Sequence, residues 1–272
     1  MCLFYCFFVL CLHVPPSSSV SFSYNFSNST ADDPCSLDIV CHPDAEFVRS
    51  RGIELTTNLL SESINSTGRV WYKYPVPLWN EDTGEVASFT TTFSFNITPT
   101  NSSQYQQCQN WSSRTADGMA FFLSPWPNPN LSSGGVVLPN AATTFGGYLY
   151  LFNSSNYLNA TGDGRVVAVE FDTYSGGNNW WDDNSYSQHI GIDVNSIMSV
   201  TTTDTPGMNN LTSPFTKAAM ISYNNVNKKL AVDLHVNGTT YRVNASVNLT
   251  QSLPKTVAVG FSASTGTCVE LH

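Results

Sequence analysis

Charged residues are scarce in this chain. Asp, Glu, Lys and Arg make up 11% of its 272 residues, against roughly 25% in an ordinary soluble domain. Basic residues are scarcest: 11 Lys and Arg stand against 20 Asp and Glu, for a formal charge of −9. So acidic a chain has little with which to neutralise phosphate backbones or anionic lipid, which excludes nucleic acid as a partner. Long hydrophobic runs are missing too. Leu3 to Leu12 holds ten apolar residues, about half of the roughly 20 that span a bilayer. Stretches rich in Ala, Glu, Lys, Leu and Arg are absent, which excludes a coiled coil. Hydrophobic residues nevertheless reach 41% and aromatics 12%, a balance that excludes intrinsic disorder. An acidic but sparsely charged, polar-surfaced globular chain remains, of a length that one all-β sandwich can use.

The apolar run at Leu3–Leu12, followed by Pro15, Pro16 and three serines, suits the core of a secretory signal peptide spanning 1–19, leaving a mature chain from residue 20. Thirteen N-x-S/T sequons support that route: Asn25, Asn28, Asn65, Asn96, Asn101, Asn110, Asn130, Asn153, Asn159, Asn210, Asn237, Asn244 and Asn248. The expectation is a secreted glycoprotein with no membrane anchor in the mature chain. Cysteine usage agrees. Cys2, Cys6 and Cys11 fall in the signal, and Cys35, Cys41, Cys108 and Cys268 remain. An even number in an oxidising compartment suggests disulfides. Cys35 with Cys41 closes a short loop, which would leave Cys108 with Cys268; free buried thiols are the alternative.

Strict alternation marks strands at Val20–Phe26 and Ala87–Phe95, and the same pattern runs through Val166–Thr173, His189–Val194, Ala218–Tyr223, Lys229–Val236 and Thr256–Ser262. Period two, rich in Val, Phe, Tyr and Thr, predicts antiparallel strands in two packed sheets. No long amphipathic helical stripe competes with it. Leu123–Asn140, with four prolines, reads as a long surface loop.

The richest segment is Val167-Ala-Val-Glu-Phe-Asp-Thr-Tyr174. Alternation places Val167, Val169 and Phe171 on one face and Glu170, Asp172 and Tyr174 on the other. The two carboxylates then share a face, their Cα atoms roughly 7 Å apart. A polar loop, Ser175 to Gln188, carries Asn178, Asn179, Asp182 and Asp183. The following strand puts His189, Gly191 and Asp193 on one face and Ile190, Ile192 and Val194 on the other. Folded as a hairpin, the segment converges Glu170, Asp172, Asp182 and His189. Carboxylates so gathered, with no Lys or Arg in the segment, repel one another unless a cation is bound. Carboxylate and amide oxygens suit calcium (Ca2+), and carboxylates with imidazole suit manganese (Mn2+). A solvated acidic loop beside a core histidine is the competing reading.

This segment resembles the metal-binding signature of the legume lectins, the plant L-type lectin family. The resemblance runs from Val20 to His272 and includes Ala116-Asp-Gly-Met-Ala-Phe121, Gly146-Gly-Tyr-Leu-Tyr-Leu-Phe-Asn153 and Val257-Ala-Val-Gly-Phe-Ser262. It implies a jelly-roll sandwich of antiparallel sheets that binds carbohydrate. Cysteine and sequon content look most like the ectodomain of a lectin receptor kinase. By the same resemblance, Glu170, Asp172, Asp182 and His189 hold the transition metal. Asp172 and Asp182 bridge to calcium, joined by the Tyr174 carbonyl and by Asn178, with Asn179 a competitor because the loop carries additional residues. For the sugar, Asp117 accepts from hydroxyls, Gly147 and Asn178 donate, Tyr174 stacks, and Gly266 and Thr267 close the rim. A cis peptide between Ala116 and Asp117 is implied as well. Cys108 with Cys268 would staple two binding loops together.

Two other functions compete. Glycosidases on a similar sandwich look like E-x-D-x-x-E, and Ser175 stands where the second glutamate is needed, so an enzyme is not expected. A sandwich that has lost sugar binding and takes protein or peptide partners is the alternative. The family's last strand lies beyond Cys268-Val-Glu-Leu-His272, so the expectation is a sandwich short of that strand, with an unpaired edge at Val20–Phe26. The resemblance also implies a possible homodimer through the back sheet.

Overall fold

The structure is a computed structural model and describes residues 19–26, 32–49, 51–57, 65–99, 117–126, 146–174, 187–266 and 270–272. Strands dominate, as the alternation predicts. In chain order they are β1 (Ile39–Pro43), β2 (Glu46–Val48), β3 (Gly52–Glu54), β4 (Thr67–Tyr72), β5 (Val76–Pro77), β6 (Phe89–Phe95), β7 (Thr98–Pro99) and β8 (Gly118–Pro125). There follow β9 (Val167–Asp172), β10 (His189–Val194), β11 (Thr201–Asp204), β12 (Lys217–Asn224), β13 (Lys229–Val236), β14 (Thr239–Ser246), β15 (Thr256–Ser264) and β16 (Glu270–Leu271). An eight-stranded sheet runs β1-β4-β15-β8-β9-β10-β11 with β5 beside β15, and a four-stranded sheet runs β14-β13-β12-β6.

The two sheets close over one core. Val167, Val169, Phe171, Ile190 and Ile192 of the larger sheet meet Ile221, Val232 and Leu234 of the smaller. These are the apolar faces expected for β9 and β10. Phe171, fully buried, is flanked by Phe95 at 4.7 Å and by Phe93 edge-on at 5.9 Å. Burial of each such side chain contributes about 1.5–3 kcal/mol.

β12 and β13 alternate buried and exposed positions, whereas β8 and nearly all of β9 and β10 are buried throughout. The second layer over the larger sheet explains the difference. Tyr148, Leu149, Leu151 and Phe152, with Ala160 and Ile197, pack on Trp71, Phe122 and Ala168 in a separate cluster. The polar face of β9 and β10 is therefore roofed, and charged groups on it are held away from bulk water.

Two elements differ from the sequence pattern. Val20–Phe26 is not a strand. Alternation alone supplies no ladder partner, and its aromatic residues pack sideways instead: Phe22 stacks on Tyr72 of β4 at 4.2 Å, and Tyr24 on Phe26 at 5.8 Å. Burial, with Asp38 beside it, pushes the Tyr24 phenol up to about 12. The loop assigned to Leu123–Asn140 begins later than expected, because β8 continues to Pro125; residues 127–140 lie outside the described ones. The Cys35–Cys41 disulfide forms as expected. Cys108 and Cys268 lie outside the described residues.

Candidate functional site

Strand register gathers the site at one end of the larger sheet. Ser264 pairs with Gly118, Gly118 with Asp172, and Asp172 with His189, so four strands contribute to one transverse row. One row further in, Ser262, Ala120, Glu170 and Gly191 follow in the same way. Directly opposed residues point to the same side of a sheet. Glu170, Asp172 and His189 therefore converge, and one ligand-type atom from each lies within 4.8 Å of the others. Asp182, Asn178 and Asn179, expected beside them, lie outside the described residues.

The donor set fits a cation. His189 is fully buried, and its Nδ1 lies 3.3 Å from the Ser187 carbonyl, which can only accept. With the proton on Nδ1, the Nε2 lone pair faces Glu170 Oε1 at 3.2 Å. Two acceptors face each other there, an arrangement relieved by a second proton or a metal ion. Backbone-anchored imidazole is also the usual state of a metal-ligating histidine. Ser199 adds to the case. Its Oγ lies 2.7 Å from Glu170 Oε1 and 2.6 Å from Asp193 Oδ1, yet a hydroxyl has one proton to give. Buried carboxylates this crowded are unfavourable unless positive charge joins them.

Asp193 and Ser199 were not among the expected ligands. Asp193 shares the His189 face by alternation, but Ser199 lies beyond the end of β10. Its approach depends on the bend at residues 195–198 that follows β10. Gly191 provides the space: a Cβ there would stand 2.1 Å from Ser199 Oγ and 2.3 Å from Glu170 Oε1.

A second cradle adjoins the first. Asp117 precedes β8, and its carbonyl accepts from Thr173 N–H at 3.4 Å, tying it to the segment between Asp172 and Tyr174. The Asp117 carboxylate sits between two glycines. A Cβ on Gly146 would lie 1.7 Å from Asp117 Oδ2, and one on Gly266 2.9 Å from it. Gly146 opens the turn Gly146–Tyr148 that includes half-buried Gly147, and its carbonyl accepts a hydrogen bond from Ser264 Oγ. Tyr174, half-buried, donates its N–H to Asp172 Oδ1 at 2.6 Å. Asp117, Gly147, Gly266 and Tyr174 are thus brought to one rim beside Asp172. Thr267 and Ala116, with the expected cis peptide, lie outside the described residues.

Residues 19–272 match the family model described as the legume lectin domain. The chain belongs to the legume lectin family. Lectin 7 of Medicago truncatula is 39% identical to it, over 88% of this chain and 82% of that one. Among solved structures, lectin I-B4 of Griffonia simplicifolia, in a metal-free form, is similar with TM-score 0.73 and 34% identity, covering 92% of this chain and 95% of that one. The acidic lectin of winged bean, complexed with methyl-α-D-galactose, gives TM-score 0.64 and 34% identity over 87% and 89% of the two chains. The jelly-roll sandwich expected from the resemblance is the fold observed. Among the described residues no helix is long and apolar enough to cross a membrane.

Among its described residues this legume lectin domain buries two cations, Arg69 and Lys217. Arg69 of β4 lays its guanidinium 3.8 Å over the Phe122 ring and donates to Ser124 Oγ at 3.1 Å. Burial lowers it to about 9, against an upward pull from Tyr150. Leu149 and Tyr150 hold left-handed φ angles of 51° and 54°, directly after the Gly146–Tyr148 turn.

Lys217 of β12 donates to the Ser213 carbonyl at 2.6 Å. Burial lowers it to about 8, opposed by attraction to Glu270. Glu270 is fully buried and accepts from Thr173 Oγ1 at 2.6 Å, which links this cluster to the Asp172–Tyr174 segment.

A titration tests the Lys217 environment. Lysine is ordinarily protonated up to 10.5, and Lys217 in the folded chain only to about 8. Between those values the unfolded chain binds the additional proton, so stability rises with pH. Urea unfolding is expected to show the native chain gaining stability relative to Lys217→Met between pH 8 and 10. Parallel curves contradict the assignment.

Proposed function

We propose that this chain binds carbohydrate in the cradle around Asp117, held in place by divalent ions at Glu170, Asp172 and His189. The observation that carries this reading is the shared row of the larger sheet. Gly118, Asp172 and His189 stand on adjacent strands, so the metal cluster adjoins the cradle that holds the Asp117 carboxylate. In this reading Glu170, Asp172, Asp182 and His189 hold manganese, while Asp172, Asp182, the Tyr174 carbonyl and Asn178 hold calcium. The ions supply the positive charge that the converging carboxylates require. Asp117 accepts from two sugar hydroxyls, the Gly147 N–H and Asn178 amide donate, Tyr174 offers its ring face, and Gly266 with Thr267 closes the rim.

Binding without turnover is part of the proposal. Glu170 Oε1 is engaged by His189 and Ser199, which leaves it poorly placed to protonate a leaving group. The sequons and the disulfide support an extracellular setting, free or as the outer domain of a receptor. A homodimer through the outer face of the smaller sheet belongs to the same reading, supported by exposed Met220 there.

Saccharide binding on a glycan array, before and after chelation and after return of calcium and manganese, tests the proposal. Loss on chelation and recovery on return are expected. Binding unchanged by chelation contradicts it.

A further inference from the structure

One sequon adjoins the sugar cradle. Asn65-Ser66-Thr67 enters β4, and Asn65 itself is exposed. Its φ is 57°, a left-handed conformation that asparagine tolerates better than most residues. Hydrogen bonds clasp the sequon to the rim. Asn65 N–H donates to the Gly266 carbonyl at 3.3 Å, and Thr265 N–H to the Ser66 carbonyl at 2.9 Å. Ser66 N–H donates to Thr265 Oγ1 at 3.0 Å, and Ser66 Oγ to Asp44 Oδ2 at 2.8 Å. Gly266 is the residue whose added Cβ would approach Asp117 Oδ2 to 2.9 Å. A single residue therefore separates Asn65 from the Asp117 carboxylate. Among the described residues the other exposed sequon asparagines are Asn25 before β1, Asn96 after β6, Asn159 between β8 and β9, Asn237 in the β13–β14 turn and Asn244 on β14; it is Asn65 whose N–H reaches Gly266.

We infer that Asn65 carries an N-linked glycan at the rim of the saccharide site, and that this glycan selects ligands by size. The inference rests on the sugar-binding reading above. Attachment uses a lipid-pyrophosphate-linked oligosaccharide. The Asn65 Nδ2 bonds to the anomeric carbon, the bond from that carbon to pyrophosphate breaks with its electron pair on the pyrophosphate, and an amide proton is released. The attached chain is bulky and hydrated. A monosaccharide seated on the Asp117 carboxylate is small enough to lie beneath the volume it sweeps. A branched glycan must share that volume, and its binding is weakened.

The test uses the full chain secreted from eukaryotic cells. Peptide mass spectrometry reads occupancy at Asn65. Affinities for a monosaccharide panel and for branched N-glycans are then compared among native protein, enzymatically deglycosylated protein, Asn65→Asp and Asn65→Gly. Both substitutions tolerate the left-handed backbone, so folding is preserved. Asn65 is expected to be occupied, and its loss to strengthen binding of branched glycans several-fold with monosaccharide affinity unchanged. An unmodified Asn65, equal affinities throughout, or equal gains for small and branched ligands overturns the inference and leaves the sugar site standing. Absence of saccharide binding in every form overturns the reading beneath it.

Discussion

Replacing Gly146 with alanine is expected to abolish saccharide binding while the protein keeps its metal and its fold. The added methyl would occupy a point 1.7 Å from Asp117 Oδ2 and 2.4 Å from its Cγ. No rotamer adjustment at Gly146 relieves this, because a Cβ position is fixed by the backbone. Either the Asp117 carboxylate swings away or the Gly146–Tyr148 turn lifts, and the Ser264 hydrogen bond to the Gly146 carbonyl resists the second. Hydrogen bonds to a charged group contribute about 1.5–3 kcal/mol each. Losing those to Asp117 corresponds to a fall in affinity of about 100-fold or more. Isothermal titration with the best array ligand reads the affinity, and elemental analysis reads the metal. Loss of metal together with sugar in this variant contradicts the separation of the two cradles.

Gly191→Ala is expected to produce the complementary result, loss of metal and, with it, of sugar. Here the Cβ would fall 2.1 Å from Ser199 Oγ, 2.3 Å from Glu170 Oε1 and 3.0 Å from Glu170 Cγ. The methyl takes the space that lets Glu170 lie across β10 toward His189. Because β10 is buried and hydrogen-bonded on both sides, to β9 and β11, the backbone has little room to retreat, and overpacking of this kind costs about 1–3 kcal/mol of stability. Metal content after dialysis, circular dichroism and sugar titration together read the outcome. A variant that retains stoichiometric metal and native affinity contradicts the placement of the ion between Glu170 and His189.

How far the site was legible depends on sequence distance. Glu170, Asp172 and His189 belong to two alternating strands joined by one loop, and alternation alone sets their faces. Their convergence then needed only a hairpin, and the register His189 to Asp172 supplies it. Asp117 and Gly147 were reached through family resemblance. Asp-Gly and Gly-Gly are common turn dipeptides, and nothing local says that one glycine packs on a carboxylate 29 residues away. Glu270 was not found at all. Its partner Thr173 is 97 residues distant, and the Lys217 that balances it comes from the other sheet, so no periodicity connects them. Val20–Phe26 shows the reverse failure. A perfect period-two pattern specifies two faces, but strand formation needs a neighbour in register, and the aromatic residues found packing partners on Tyr72 instead.

Elemental analysis of the purified, exhaustively dialysed protein bears most directly on the whole arrangement. The account predicts stoichiometric divalent metal in the native chain, including calcium and a transition ion, and no transition ion retained by Glu170→Gln. A native chain that holds neither ion, yet still binds saccharide with its sandwich intact, would contradict it.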